Sequence, residues 1–108
     1  MAGQLGDKIR GLRKERGLTL DELVHAANSQ ISKSYLWELE NRESLSPSAE
    51  KLQAIADALG VSADYFLDND VRAPEEKHID EAFFRGYKKL EANDKEQLRR
   101  ILDTFKKK

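Results

Sequence analysis

Residue types that carry covalent catalysis are sparse in this sequence of 108 residues. It has no cysteine, its two histidines, His25 and His78, are isolated, and it contains neither a His-Glu-x-x-His pair nor a Gly-rich phosphate loop. No nucleophile has a base at a useful interval, so no enzymatic activity, metal or cofactor is expected, and His25 reads as a surface helix residue. One stretch suits non-covalent recognition instead. From Ser32 to Asn41, Leu36 and Leu39 fall at helical spacing, while Ser34, Trp37, Glu38 and Asn41 share the opposite face. Hydroxyl, indole, carboxylate and amide on one face of a stiff rod can donate to and accept from another molecule. Glu40 follows Leu36 by four residues and so falls on the inner face, where an unpaired carboxylate is costly and needs a partner.

Presenting that face requires a frame, and the sequence supplies helices for it. Apolar residues recur at helical spacing and no run alternates like a half-buried strand, so an all-α fold is expected. Leu5, Ile9, Leu12 and Arg16 mark one face of a first helix, with Gly17 as its left-handed stop. Thr19 and Glu22 form a capping box for a second, whose buried face is Leu20, Leu23, Val24 and Ala27. Asn28-Ser29-Gln30 breaks it, and Ser32 caps the third. After Ser46-Pro47-Ser48 a fourth helix carries Leu52, Ile55, Ala56 and Leu59 and closes at Gly60; Ser62 caps a short fifth. The stretch from Asp68 to His78, with Pro74 and many charges, reads as a linker or loose loop. A sixth helix has Ile79, Ala82, Phe83, Tyr87 and Leu90 on one stripe. A seventh, opened by Asn93 or Asp94, has Leu98, Ile101, Leu102 and Phe105, and its terminal lysines offset the helix dipole.

The length leaves room for one compact core with an appendage. Charged residues make up 36% of the chain and nearly cancel, to a net charge of -1, which is a poor footprint for gripping nucleic acid by bulk attraction. The distribution is uneven: residues 1–42 carry seven Lys/Arg against six Asp/Glu, 43–78 three against eight, and 79–108 nine against six. The absence of cysteine excludes disulfides and thiolate metal sites and suits a reducing compartment. No apolar stretch approaches a membrane span or signal-peptide core. A cytoplasmic protein with no membrane partner is expected.

Two short helices wedged between a first and a fourth form the scaffold that presents a helix to the DNA major groove. The segments "LRKERGLTLDEL", "SKSYLWELEN" and "SPSAEKLQAIADALGVSADYFL" resemble the five-helix domain of phage lambda-type and 434-type repressors and the wider Xre-like regulators. The resemblance covers roughly residues 5–67. It implies a sequence-specific DNA-binding regulator, a repressor on a palindromic operator, with its helix-turn-helix domain over 1–68; the charge pattern and helical spacing beyond it read as a linker over 69–78 and a C-terminal helical hairpin over 79–108. A non-catalytic interaction module that keeps this fold without binding DNA is the alternative.

Lys33, Ser34 and Glu38 match positions from which the family's recognition helix touches base edges. Lys33 can donate to guanine O6 or N7, Ser34 can adapt to several bases, and Glu38 can accept from the cytosine amino group. Trp37, on the same face, either touches a thymine methyl or sugar or lays its ring over the loop after Asn41. Phosphate contacts are expected from Ser32, Asn41 and Arg42, with Lys8, Arg10 and Lys14 adding from the first helix. Arg13 lies four residues after Ile9 on that helix's inner side, and the resemblance implies an Arg–Glu pair between helices 1 and 3, so an Arg13–Glu40 ion pair is expected.

The sequence departs from the family pattern in three places. The stretch from Ala27 to Ser32 is about two residues longer than the usual turn and lacks its glycine; a phosphate-binding glutamine is replaced by Leu20; and the glycine common after "EN" is Arg42, which either adds a phosphate contact or strains the loop. Beyond Asp68 the resemblance explains nothing. Phe83, Phe84, Tyr87, Leu102 and Phe105 are expected to form a two-fold interface, giving a homodimer whose recognition helices meet successive major grooves roughly 34 Å apart. Otherwise the hairpin caps its own core, or, as tails of such regulators do, binds a protein partner such as a toxin or metallopeptidase.

Overall fold

Among the described residues, caps and left-handed residues mark off seven helices, and no strand occurs. The structure, a computed structural model, describes residues 4–42 and 46–106. The helices are α1 (Gln4–Glu15), α2 (Leu20–Ala26), α3 (Lys33–Asn41), α4 (Ala49–Leu59), α5 (Ala63–Leu67), α6 (Glu76–Lys88) and α7 (Ala92–Lys106). Gly17, at φ +70°, ends α1 in the left-handed region open to a residue without Cβ. Thr19 Oγ1 accepts from the Glu22 N–H and Glu22 Oε1 from the Thr19 N–H, a complete capping box for α2. Ser32 and Ser48 cap α3 and α4 by accepting from the N–H groups of Tyr35 and Lys51. Ser62 stands at the N-cap of α5 without a side-chain cap bond, and its buried Oγ has no partner.

The apolar stripes meet in one core. Ile9 and Leu12 from α1, Leu23 from α2, Leu36 and Leu39 from α3, and Leu52, Ile55, Ala56 and Leu59 from α4 are buried together with Ala27, Ile31, Val61, Tyr65 and Phe66. Each large aliphatic side chain so removed from water contributes about 1.5–3 kcal/mol. Helix α1 packs on α3 and α5, and α2 lies between α3 and α4. The crossing of α1 and α3 is close: a Cβ on Gly6 would stand 2.5 Å from the Leu39 carbonyl oxygen and 2.9 Å from that of Glu40. Nothing in the sequence pattern had marked Gly6.

The turn before α3 is long, six residues from Ala27 to Ser32. It is built by two consecutive left-handed residues, Asn28 (φ +55°) and Ser29 (φ +57°), and held by the Ser29 N–H on the Val24 carbonyl at 3.0 Å. Ile31, 4% exposed, returns the chain to the core. Arg42 is extended (φ −120°, ψ 134°), so the loss of glycine there carries no left-handed strain.

The expected linker is shorter than its charge pattern suggested. Helix α6 begins at Glu76, inside the stretch 69–78, and His78 is 1% exposed. Pro74 and the surrounding charges mark only the approach to α6. Helix α7 opens at Ala92, just ahead of Asn93 and Asp94. It has no buried residue, and α6 has only His78. The chain is accordingly extended, 50 × 29 × 24 Å with a radius of gyration of 15.5 Å, against about 13 Å for a compact domain of this size.

Candidate nucleic-acid interface

Helix α3 divides its side chains between holding and presenting. Leu36, Leu39 and Glu40 are buried, whereas Ser32, Lys33, Ser34 and Trp37 are exposed and Glu38 is half-buried. Glu40 is 1% exposed, yet its carboxylate is met by a fork: Arg13 Nε donates to Oε2 at 2.7 Å and Arg13 Nη2 to Oε1 at 2.9 Å. Arg13 Nη1 also donates to the Leu18 carbonyl at 2.8 Å. The hydrogen bond to Glu40 raises the Arg13 pKa above the ordinary guanidinium value, against the effect of burial. A bidentate pair of this kind fixes direction as well as distance, so the rotation of α3 about its axis is set from α1.

Two of the four cations expected on phosphate, Lys8 and Arg10, are turned inward. Arg10 Nη2 donates to the Glu40 carbonyl at 3.2 Å and to Asn41 Oδ1, and Asn41 Nδ2 donates to the Trp37 carbonyl at 2.8 Å. Arg10 therefore closes the C-terminus of α3, where a cation offsets the dipole and satisfies terminal carbonyls. Lys8 Nζ donates to the carbonyls of Tyr65 at 2.7 Å and Asp68 at 2.6 Å, ending α5. Burial there lowers the Lys8 pKa, with Asp68 acting the other way. Their long side chains find helix ends that only the fold brings near. Of the expected set, Ser32, Lys14 and Arg42 remain exposed.

At the start of α3, Lys33 Nζ lies 3.2 Å from Asp21 Oδ2 on α2, with both side chains exposed. Lys51, in the first turn of α4, holds its ammonium 4.3 Å from the Tyr35 ring centroid, which places a further cation beside α3 that the sequence had not singled out. Trp37 is 48% exposed; residues 43–45 of the loop after Asn41, the alternative seat for its ring, are outside the described residues. No group of three His, Cys, Asp or Glu among the described residues is arranged to hold a metal ion, and no described helix is long and apolar enough to cross a membrane.

At the far end, Phe83, Phe84 and Tyr87 of α6 face Leu98, Ile101, Leu102 and Phe105 of α7 across one almost wholly apolar groove. Arg99 Nη1 donates to the Tyr87 hydroxyl at 2.6 Å, joining the two helices at its rim. The five residues expected at a two-fold interface thus share one surface.

Comparison with known proteins places these features. The chain is 37% identical over 73 residues to the immunity repressor protein of Bacillus phage phi105, covering 68% of this chain and 49% of that protein. It is 42% identical over 65 residues to the HTH-type transcriptional regulator DdrOP3 of Deinococcus deserti, covering 60% and 48%. It thus spans about half the length of these two relatives. The HTH-type transcriptional regulator SinR of Bacillus subtilis is 29% identical over 104 residues, covering 94% of this chain and 92% of SinR. Among solved structures, a chain of a SinR protein/SinI protein complex superposes with a TM-score of 0.57 at 27% identity, covering 94% of each chain, so the likeness extends through α6 and α7. The helix-turn-helix family model matches residues 9–66, more than half of the sequence, and the chain belongs to the helix-turn-helix family.

Proposed function

We propose that this chain is a non-catalytic, sequence-specific DNA-binding transcriptional regulator of the cytoplasm, a repressor that binds a palindromic operator as a homodimer. The observation that carries the reading is the division of α3: Leu36, Leu39 and the Arg13-clamped Glu40 fix it, and Lys33, Ser34, Trp37 and Glu38 are left on its outer side. Lys33 exchanges an exposed ion pair with Asp21, which is worth little, for a base edge. Glu38 repels nearby phosphates and so filters sequence rather than adding affinity. Ser32, Arg42 and Lys14 contact phosphate, joined by Lys51, while Lys8, Arg10 and Asn41 hold the frame.

Homodimerisation through the α6–α7 groove accounts for apolar residues that the single chain leaves in water, Phe83 and Phe105 being 64% and 66% exposed. A second occupant, a protein partner on the same helices, is favoured by the likeness across α6 and α7 to a chain of the SinR protein/SinI protein complex. A salt titration of binding to duplex from beside the chain's own gene tests the DNA reading. A log–log slope of about −0.9 per phosphate neutralised is expected; absence of binding even at low salt refutes it.

A further inference from the structure

One exposed face of α6 has no counterpart in the chain's own packing. Ile79, Phe83, Gly86 and Leu90 follow one another at intervals of four, three and four, which sets them along one side of the helix and of the turn that closes it. All four are exposed. The side of α6 that meets the body is a different one: His78 is buried against Tyr65, and Arg85 and Lys89 reach Asp57 of α4. Of the stripe, only Phe83 lines the groove toward α7. Gly86 is its odd member, since a glycine inside a helix weakens it. Its φ is not positive and a Cβ there would meet nothing within 4 Å, so neither a turn nor a close approach within the single chain calls for it.

The spacing reads the same in both directions. Two copies of α6 laid antiparallel therefore set Ile79 against the partner's Leu90 and Phe83 against the partner's Gly86, and each ring fills the gap left by a missing side chain. Parallel helices would instead oppose the two rings at one level and the two glycines at the next. Charge favours the antiparallel order. The first half of α6 carries Glu76, Asp80 and Glu81 against Lys77, and its end carries Arg85 and Lys88, with Lys89 at the C-cap. Acid then lies along base, and the two helix dipoles run opposite. We propose that α6 pairs antiparallel with α6 of a second copy about a two-fold axis between Phe83 and Gly86, with Gly86 as the socket for the partner's Phe83. A two-fold contact requires a self-complementary surface, which this stripe has and which an unrelated partner would not need. The proposal rests on the two-copy reading above and assigns its axis; Phe84 stands next to that axis, and the α6–α7 groove continues the same surface.

The absence of cysteine makes the test direct. Ile79→Cys and Leu90→Cys are treated with a short bis-maleimide, each alone and mixed, at a concentration where the chain self-associates. Linked dimer is expected from the mixture and little from either variant alone. Gly86→Leu supplies the second readout. Because the single chain leaves that position open, its Tm at concentrations where it is monomeric should hold or rise, while self-association weakens at least tenfold. Affinity for a single half-site duplex should stay the same. Linking of Ile79→Cys to itself, or an unchanged association constant for Gly86→Leu, overturns the α6 pairing while leaving the two-copy reading standing. A native chain that sediments as a monomer at every concentration refutes that reading and the pairing with it.

Discussion

Arg13 reaches from α1 to place both arms of its guanidinium on Glu40 of α3, at 2.7 and 2.9 Å, in a site where the carboxylate is 1% exposed. The pair resists removal of either partner alone more than removal of both, because a lone buried charge has no compensation. Arg13→Leu should destabilise the domain by roughly 3 kcal/mol or more, read as a shift in the urea midpoint at unchanged slope. Arg13→Leu combined with Glu40→Leu should recover much of that loss. A neutral single variant would mean that the carboxylate finds water or closes on Arg10, whose Nε already lies 3.6 Å from Oε1.

Gly6 and Gly11 lie in the same helix and predict opposite outcomes. A methyl on Gly6 meets the backbone carbonyls of Leu39 and Glu40, which cannot rotate away, whereas nothing lies within 4 Å of a Cβ on Gly11. Gly6→Ala should cost about 1–3 kcal/mol as α1 is pushed off α3. Gly11→Ala should gain up to about 1 kcal/mol from helix propensity. Thermal melts of the two variants check the pair, and DNA affinity should fall only for Gly6→Ala.

Those two glycines also show where sequence reasoning stops. Either could have been an accident of composition, because close approach is a property of the α1–α3 crossing and leaves no trace in local spacing. The caps at Thr19, Ser32 and Ser48 were legible because a cap and its partner are three residues apart. Glu40 was legible as a residue in need of a partner because helical register alone put a charge among leucines. Lys8 and Arg10 were not, since a flexible side chain goes to whichever carbonyls the fold leaves open. His78 was hidden by its neighbours: Pro74, Glu75, Glu76 and Lys77 read as linker, and one buried ring does not change that pattern.

Ser29 occupies the left-handed region beside Asn28 in the lengthened turn. Asparagine tolerates that conformation, but serine pays a backbone penalty on the order of 1 kcal/mol. Ser29→Gly removes the penalty and loosens the unfolded chain, leaving a net gain of about 0.5 kcal/mol, or a few degrees in Tm. Asn28→Gly should change little. Ser29→Val, branched at Cβ, should lower Tm and, by shifting the turn that aims α3, weaken DNA binding beyond what the loss of stability explains.

Phe84 is 57% exposed in the single chain and lies off the main stripe of α6, with the Lys88 ammonium 5.0 Å from its ring centroid. Truncation removes little from the chain's own core, so Phe84→Ala should leave the urea midpoint of the isolated chain nearly unchanged at concentrations where it is monomeric. Burial of a phenylalanine between two copies is worth about 1.5–3 kcal/mol, and two copies bring two such rings. The self-association constant should therefore weaken by at least tenfold, seen as a lower sedimenting mass at micromolar concentration. Because each half-site alone binds weakly, affinity for a two-half-site duplex should fall with it, while affinity for a single half-site stays the same. An unchanged mass would mean that the groove covers itself or awaits a different protein, and the homodimer would have to be sought on another face.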